Sequence, residues 1–184
     1  MWIFNTNKFK WVKQHDSMQC GVSCLAMICR HYGKNYSLEY LDGFCHANIA
    51  GISMLGITDG AKSVGLNVMT VAASTDELNK IALPCILHWN QNHFVVLYGI
   101  SKNGKRYRIA DPGKGLVTYT RKEFESHWIS SMTDGEPSGT AMQLTPGKNF
   151  DGKNCDNTIQ KRSFRFLLGY LMQYRKYFTL IILG

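Results

Sequence analysis

A cysteine at 20, a histidine at 93 and an aspartate at 111 are the residues of this 184-residue chain whose types suit nucleophilic attack on a carbonyl. Cys20 stands in Gln14-His15-Asp16-Ser17-Met18-Gln19-Cys20-Gly21, His93 opens His93-Phe94-Val95-Val96, and Asp111 opens Asp111-Pro112-Gly113. A thiol has a free pKa of about 8.5 and attacks well only as the thiolate, so the anion needs support. A helix amino terminus supplies N–H groups and the positive end of the macrodipole, and an imidazolium at His93 supplies a full charge. The same ring can protonate the leaving amine. Its second nitrogen needs an acceptor, and Asp111 is the candidate. Gln14 completes the set, because its side-chain amide and the Cys20 backbone N–H can both donate to an oxyanion as charge grows there.

These residues need elements that bring them together. Cys20 to Tyr32 places apolar residues at helical spacing and ends at Gly33, which predicts a buried helix with Cys20 at its amino end. Ser37 to Phe44 and Ser53 to Val64 predict two further helices with serine caps, the second stopped by Gly65. After Gly65 the pattern alternates. Strands are expected at 66–71, 85–89, 93–100, 105–109, 116–120 and 140–144, with short helices begun by Ser74-Thr75-Asp76-Glu77 and spanning Arg121 to His127. Asn103-Gly104 is a strong hairpin signal, and pairing around it carries His93 and Asp111 to the same end. A helical lobe followed by an antiparallel sheet is an α+β layout.

Each candidate has a plainer reading. Cys24, Cys29, Cys45 and Cys85 read as small core residues, and His31, His46 and His127 as structural or surface ones. His88 competes with His93 for the role of base, and strand phase admits only one of them beside Cys20. Asp111-Pro112-Gly113 is by itself an ordinary turn. Zinc is the rival chemistry for Cys20, Cys24, Cys29 and His31. Their spacings along one helix make them diverge around its axis, unlike the loop knuckles that zinc favours, so no metal site is expected.

Composition narrows the class. The net charge is +8; residues 1–150 hold 15 Lys/Arg against 11 Asp/Glu, and residues 151–184 hold 6 against 2. No zinc-finger, helix-turn-helix or aromatic-basic ribonucleoprotein pattern accompanies the charge, so nucleic acid is not an expected partner. The amino terminus lacks the apolar core of a secretory signal, and the cysteines read as free thiols of a cytosolic domain. Three segments are expected: a domain at 1–145, a polar linker at 146–162, and a basic, aromatic and then uncharged segment at 163–184. A spanning helix needs roughly 20 apolar residues, so 163–184 reads as an interfacial helix and the start of a membrane helix, with the first domain on the cytoplasmic side.

Gln14, Cys20-Gly21, Cys24-Leu25-Ala26-Met27, Tyr32-Gly33, His93-Phe94-Val95-Val96-Leu97 and Asp111-Pro112-Gly113 together resemble the amino-terminal peptidase domains of bacterial peptidase-containing ABC transporters, the bacteriocin-processing leader peptidases. The resemblance implies a papain-like fold and cleavage of a peptide precursor after a Gly-Gly type leader during export. It implies Cys20 as nucleophile, His93 as general base and acid, Asp111 as orienting carboxylate and Gln14 as oxyanion donor. It further implies transmembrane and nucleotide-binding domains of the same protein, a homodimer at full length, and a place in the bacterial cytoplasmic membrane. No cofactor is implied for the peptidase domain; ATP and Mg belong to the nucleotide-binding domain. The residue before the nucleophile is usually acidic in this family and is Gln19 here. Two alternatives stay open: a peptidase-like domain that only docks substrate, and another papain-like transferase or amidase.

Overall fold

The computed structural model describes residues 9–45, 51–133 and 135–150. Three helices come first: α1 (Cys20–His31), α2 (Leu38–Cys45) and α3 (Met54–Ser63). Their starts are written locally. The Ser37 hydroxyl accepts from the Tyr40 N–H at 3.2 Å and the Ser53 hydroxyl from the Gly56 N–H at 3.1 Å, so each serine satisfies a donor that the first turn leaves open. Gly65, at φ +91°, ends the third helix and turns the chain into the sheet.

The sheet follows with β1 (Leu66–Ala73), β2 (Cys85–Trp89), β3 (His93–Ile100), β4 (Arg106–Asp111) and β5 (Gly115–Thr120), then α4 (Arg121–Trp128), β6 (Ser131–Thr133) and β7 (Glu136–Pro146). All pairings are antiparallel, in the order β1-β7-β2-β3-β4-β5, with β6 on β7. The expected α+β layout, helices first and antiparallel sheet second, is what the chain adopts.

Alternation of side chains sorts the core into two layers. On β2 and β3, Ile86, Phe94 and Val96 join the cluster that contains α1, whereas Cys85, Leu87, Val95 and Leu97 join the cluster under α4 with Phe124 and Trp128. The central strands therefore bury both faces, which is why they read as continuous apolar runs.

Two features exceed the expectations from sequence. β7 starts at Glu136, ahead of the expected 140, because Gly139 lets its backbone pass under the Trp128 ring: a Cβ there would lie 2.5 Å from ring atoms. The Trp128 indole N–H also donates to the Thr140 carbonyl at 3.0 Å. Packing then continues into the stretch expected as linker. The Gly147 N–H donates to the Gly65 carbonyl, and Phe150 is 1% exposed against the α1 side of the core. Residues 151–184, with Cys155, the rest of the expected linker and the expected membrane-proximal segment, lie outside the described residues. Among the described residues no helix is long and apolar enough to cross a membrane.

Candidate active site

The start of α1 is built in two steps. The Asp16 carboxylate accepts from the Met18 N–H at 2.8 Å and caps a short 3-10 turn at Ser17–Gln19, which runs directly into the helix. Gln19 is then the cap residue of α1, and its side chain makes no capping bond. The first turn of α1 therefore carries Cys20 with no side-chain cap on its N–H groups, a setting that favours an anion. The helix itself is fixed, since every residue from Cys20 to Cys29 is buried. Gly21 permits the fit, as a Cβ there would collide with Ile52 and Ile57.

The sheet brings the partners. β3 and β4 pair around the Asn103-Gly104 turn, where Gly104 sits at φ +65° and its N–H donates to the Ser101 carbonyl at 2.8 Å. His93 at the start of β3 and Asp111 at the end of β4 meet, with Nε2 of His93 2.9 Å from Oδ1 of Asp111. The Asp111 side chain is 2% exposed and that of His93 23%. A second donor, the Gly113 N–H at 2.8 Å, holds the same carboxylate oxygen. With Nε2 engaged, Nδ1 is the ring nitrogen left for Cys20, which is near enough to help raise the His93 pKa.

Electrostatics follow from these contacts. Burial works against an imidazolium at His93, but the hydrogen bonds to Asp111 and Cys20, with their charges, outweigh it and raise the pKa to about 9. Burial likewise opposes the Asp111 carboxylate. Hydrogen bonds from His93 and the Gly113 N–H, helped by the His93 and Lys114 charges, hold it below its usual range nonetheless.

The other thiols differ. Burial, then the charges of Cys20 and Asp111, push Cys24 well up; burial chiefly pushes Cys29, Cys45 and Cys85 up to about 12. Such thiols stay protonated and inert. His88 packs its ring on Phe94 at 5.3 Å between centroids, and burial lowers its pKa. It is His93, not His88, that meets Cys20.

Gln14 arrives on a strap, residues 9–14, that crosses the end of the sheet. The Phe9 ring stacks on Tyr98 at 4.6 Å between centroids, the Trp11 indole N–H donates to the Asp111 carbonyl at 2.8 Å, and the Gln14 N–H donates to the Pro112 carbonyl at 3.2 Å. The Gln14 amide borders Gly113. Its Oε1 and that of Gln19 are buried atoms with no hydrogen-bond partner. Trp11 escaped the sequence reading, and nothing in its local pattern marks a bond to a residue a hundred positions away. The structure thus brings Gln14, Cys20, His93 and Asp111 to one end of the sheet. The arrangement suits a thiolate-imidazolium pair, an orienting carboxylate and an oxyanion pocket.

Known proteins carry related domains. The chain is 32% identical over 167 residues to the colicin V secretion/processing ATP-binding protein CvaB of Escherichia coli, covering 88% of this chain and 22% of that one. A crystal structure of a double glycine motif protease from an AMS/PCAT transporter, in complex with the leader peptide, matches with a TM-score of 0.67 at 31% identity, over 76% of this chain and 92% of that one. The crystal structure of the peptidase domain of Streptococcus ComA, a bi-functional ABC transporter involved in a quorum sensing pathway, matches with a TM-score of 0.64 at 28% identity, over 76% of this chain and 99% of that one. The chain spans about a fifth of the length of the curated relatives it matches. The model of the Peptidase C39 family matches residues 8–133, and the chain belongs to that family of papain-like cysteine peptidases.

Proposed function

We propose that this domain is the endopeptidase that removes a double-glycine leader from a peptide precursor, with Cys20 as nucleophile. One observation carries the assignment of roles: a His93–Asp111 bond of 2.9 Å beside a cysteine that opens an uncapped helix. In this reading the Cys20 thiolate attacks the carbonyl of the second glycine, and the oxyanion is received by the Cys20 N–H and the Gln14 amide. His93 then protonates the departing amine, and the acyl-enzyme is hydrolysed by a water that gives its proton back to His93. Asp111 holds the ring so that Nδ1 faces the sulfur. None of these steps calls for a cofactor.

The relatives' names extend the proposal to the whole protein. CvaB is a secretion/processing ATP-binding protein. The present domain then belongs to an exporter of the bacterial cytoplasmic membrane, on its cytoplasmic side, joined to transmembrane and nucleotide-binding domains that take ATP and Mg and assemble as a homodimer. A linker over 151–162 and a membrane-proximal segment at 163–184 fit that arrangement by composition.

The test is cleavage of a synthetic precursor with a Gly-Gly leader by the full chain, read by mass spectrometry. A single cut after the second glycine is expected. Cys20→Ala should abolish turnover and keep leader binding in fluorescence anisotropy. Cleavage by that variant at the wild-type rate would overturn the assignment of the nucleophile.

A further inference from the structure

The far side of the Trp11 strap carries cations that the proposed peptidase chemistry does not use. Lys10, Arg30 and Lys34 line one cleft of about 480 Å³ with Trp11 and Asn35, at the carboxyl end of α1. A second, adjoining cleft shares Lys10 and Trp11 and adds Phe9 and Leu116. No carboxylate lines either one. Among the described residues none of the three cations is in an ion pair, whereas Arg121, the first residue of α4, is paired with both Asp76 and Glu125. Among the described residues the Arg30 side chain makes a neutral hydrogen bond, from Nε to the Asn35 side-chain oxygen at 2.8 Å, and burial lowers the pKa of its guanidinium. Cations with no ionic partner among the described residues thus lie beside half-buried Trp11 and Phe9 and an exposed Leu116.

We propose that this face docks on an anionic lipid surface. A lipid interface receives long cationic side chains at the headgroups and amphipathic aromatics just below them, and this face presents both in adjoining clefts. A folded acidic partner would call for directional pairing. Two of the three cations here are lysines, point charges without a fixed fork, and they suit a diffuse field of phosphates better than a docked carboxylate. The composition of the chain agrees, because the aromatic segment at 163–184 is also basic at its start. Docking by this face would hold the Trp11 strap, and through its bond to the Asp111 carbonyl the candidate site, at the membrane surface.

The test uses the full chain and sedimentation with vesicles of phosphatidylcholine alone or with phosphatidylglycerol at 30 mol%, and compares wild type with Lys10→Gln/Lys34→Gln. The 151–184 segment is the same in both proteins, so the difference reports this face. Two lysines near an anionic surface contribute about 1 kcal/mol each, so the double variant should partition about 30-fold less onto the anionic vesicles. Near-ultraviolet circular dichroism checks its fold, and the single variants carry the comparison if it melts early. Equal partition of wild type and variants would overturn the proposal. So would binding of soluble polyglutamate that competes fully with the vesicles, which would assign the face to an acidic protein. Sedimentation needs no turnover, so its result is independent of the leader-peptidase reading.

Discussion

At the scale of single residues, His93 and Asp111 set the pH range of the chemistry. The imidazolium of His93 gains from its partners, so its contribution is fully present below the ordinary 6.5 and is lost as pH rises through about 9. The Asp111 carboxylate is held low, so its contribution is present above the ordinary 3.8 and is lost as pH falls through the depressed value. The pair is therefore intact across neutral pH, and kcat/KM should fall on its alkaline side near pH 9. In Asp111→Asn the charge that opposes desolvation of His93 is gone. The alkaline limb should move to lower pH and kcat should fall on the order of 10²-fold or more, measured with the Gly-Gly precursor across a pH series. Gln14→Ala should differ in kind, with a loss of about 10²-fold to 10³-fold in kcat and no movement of the limb, since the role proposed for Gln14 is on the oxyanion rather than on the ring.

At the scale of elements, what was legible depended on whether the cause was local. The hairpin that joins His93 to Asp111 could be read from Asn103-Gly104, because turn chemistry and strand alternation are properties of neighbouring residues. The serine caps of α2 and α3 were legible for the same reason. The start of β7 was not, because Pro137 and Gly139 look like breakers until Trp128 is seen lying over Gly139. The strap at 9–14 was equally hidden, since only its contacts give it an element's role. Trp11→Phe keeps the ring and removes the N–H that holds the Asp111 carbonyl. A lost hydrogen bond of about 1 kcal/mol should lower kcat roughly 5-fold to 10-fold with KM unchanged. Recovery of kcat in Trp11→His, which restores a ring N–H donor, would separate positioning from bulk. A thermal melt checks that the fold survives both changes.

At the scale of the whole molecule, one sheet separates two apolar layers, and the site lies where the α1 layer reaches the end of β3 and β4. The strands that carry the site are buried on both faces, so the site is held by the same packing that makes the domain stable. Phe150 belongs to that packing although it follows the last strand. Phe150→Ala should cost about 3–5 kcal/mol in urea denaturation, a loss that a residue in a solvated linker would not produce. The sequence by itself determined the helix that begins at Cys20, the hairpin, the α+β order and the four candidate residues, because caps, turns and side-chain periodicity act over a few positions. Only the tertiary structure decided that His93 rather than His88 meets Cys20, that Trp11 and Gly113 hold Asp111, and that the packed chain runs on to Phe150. Those choices rest on close contacts between residues far apart in the chain, and burial and hydrogen bonding across such distances are settled only when the layers close.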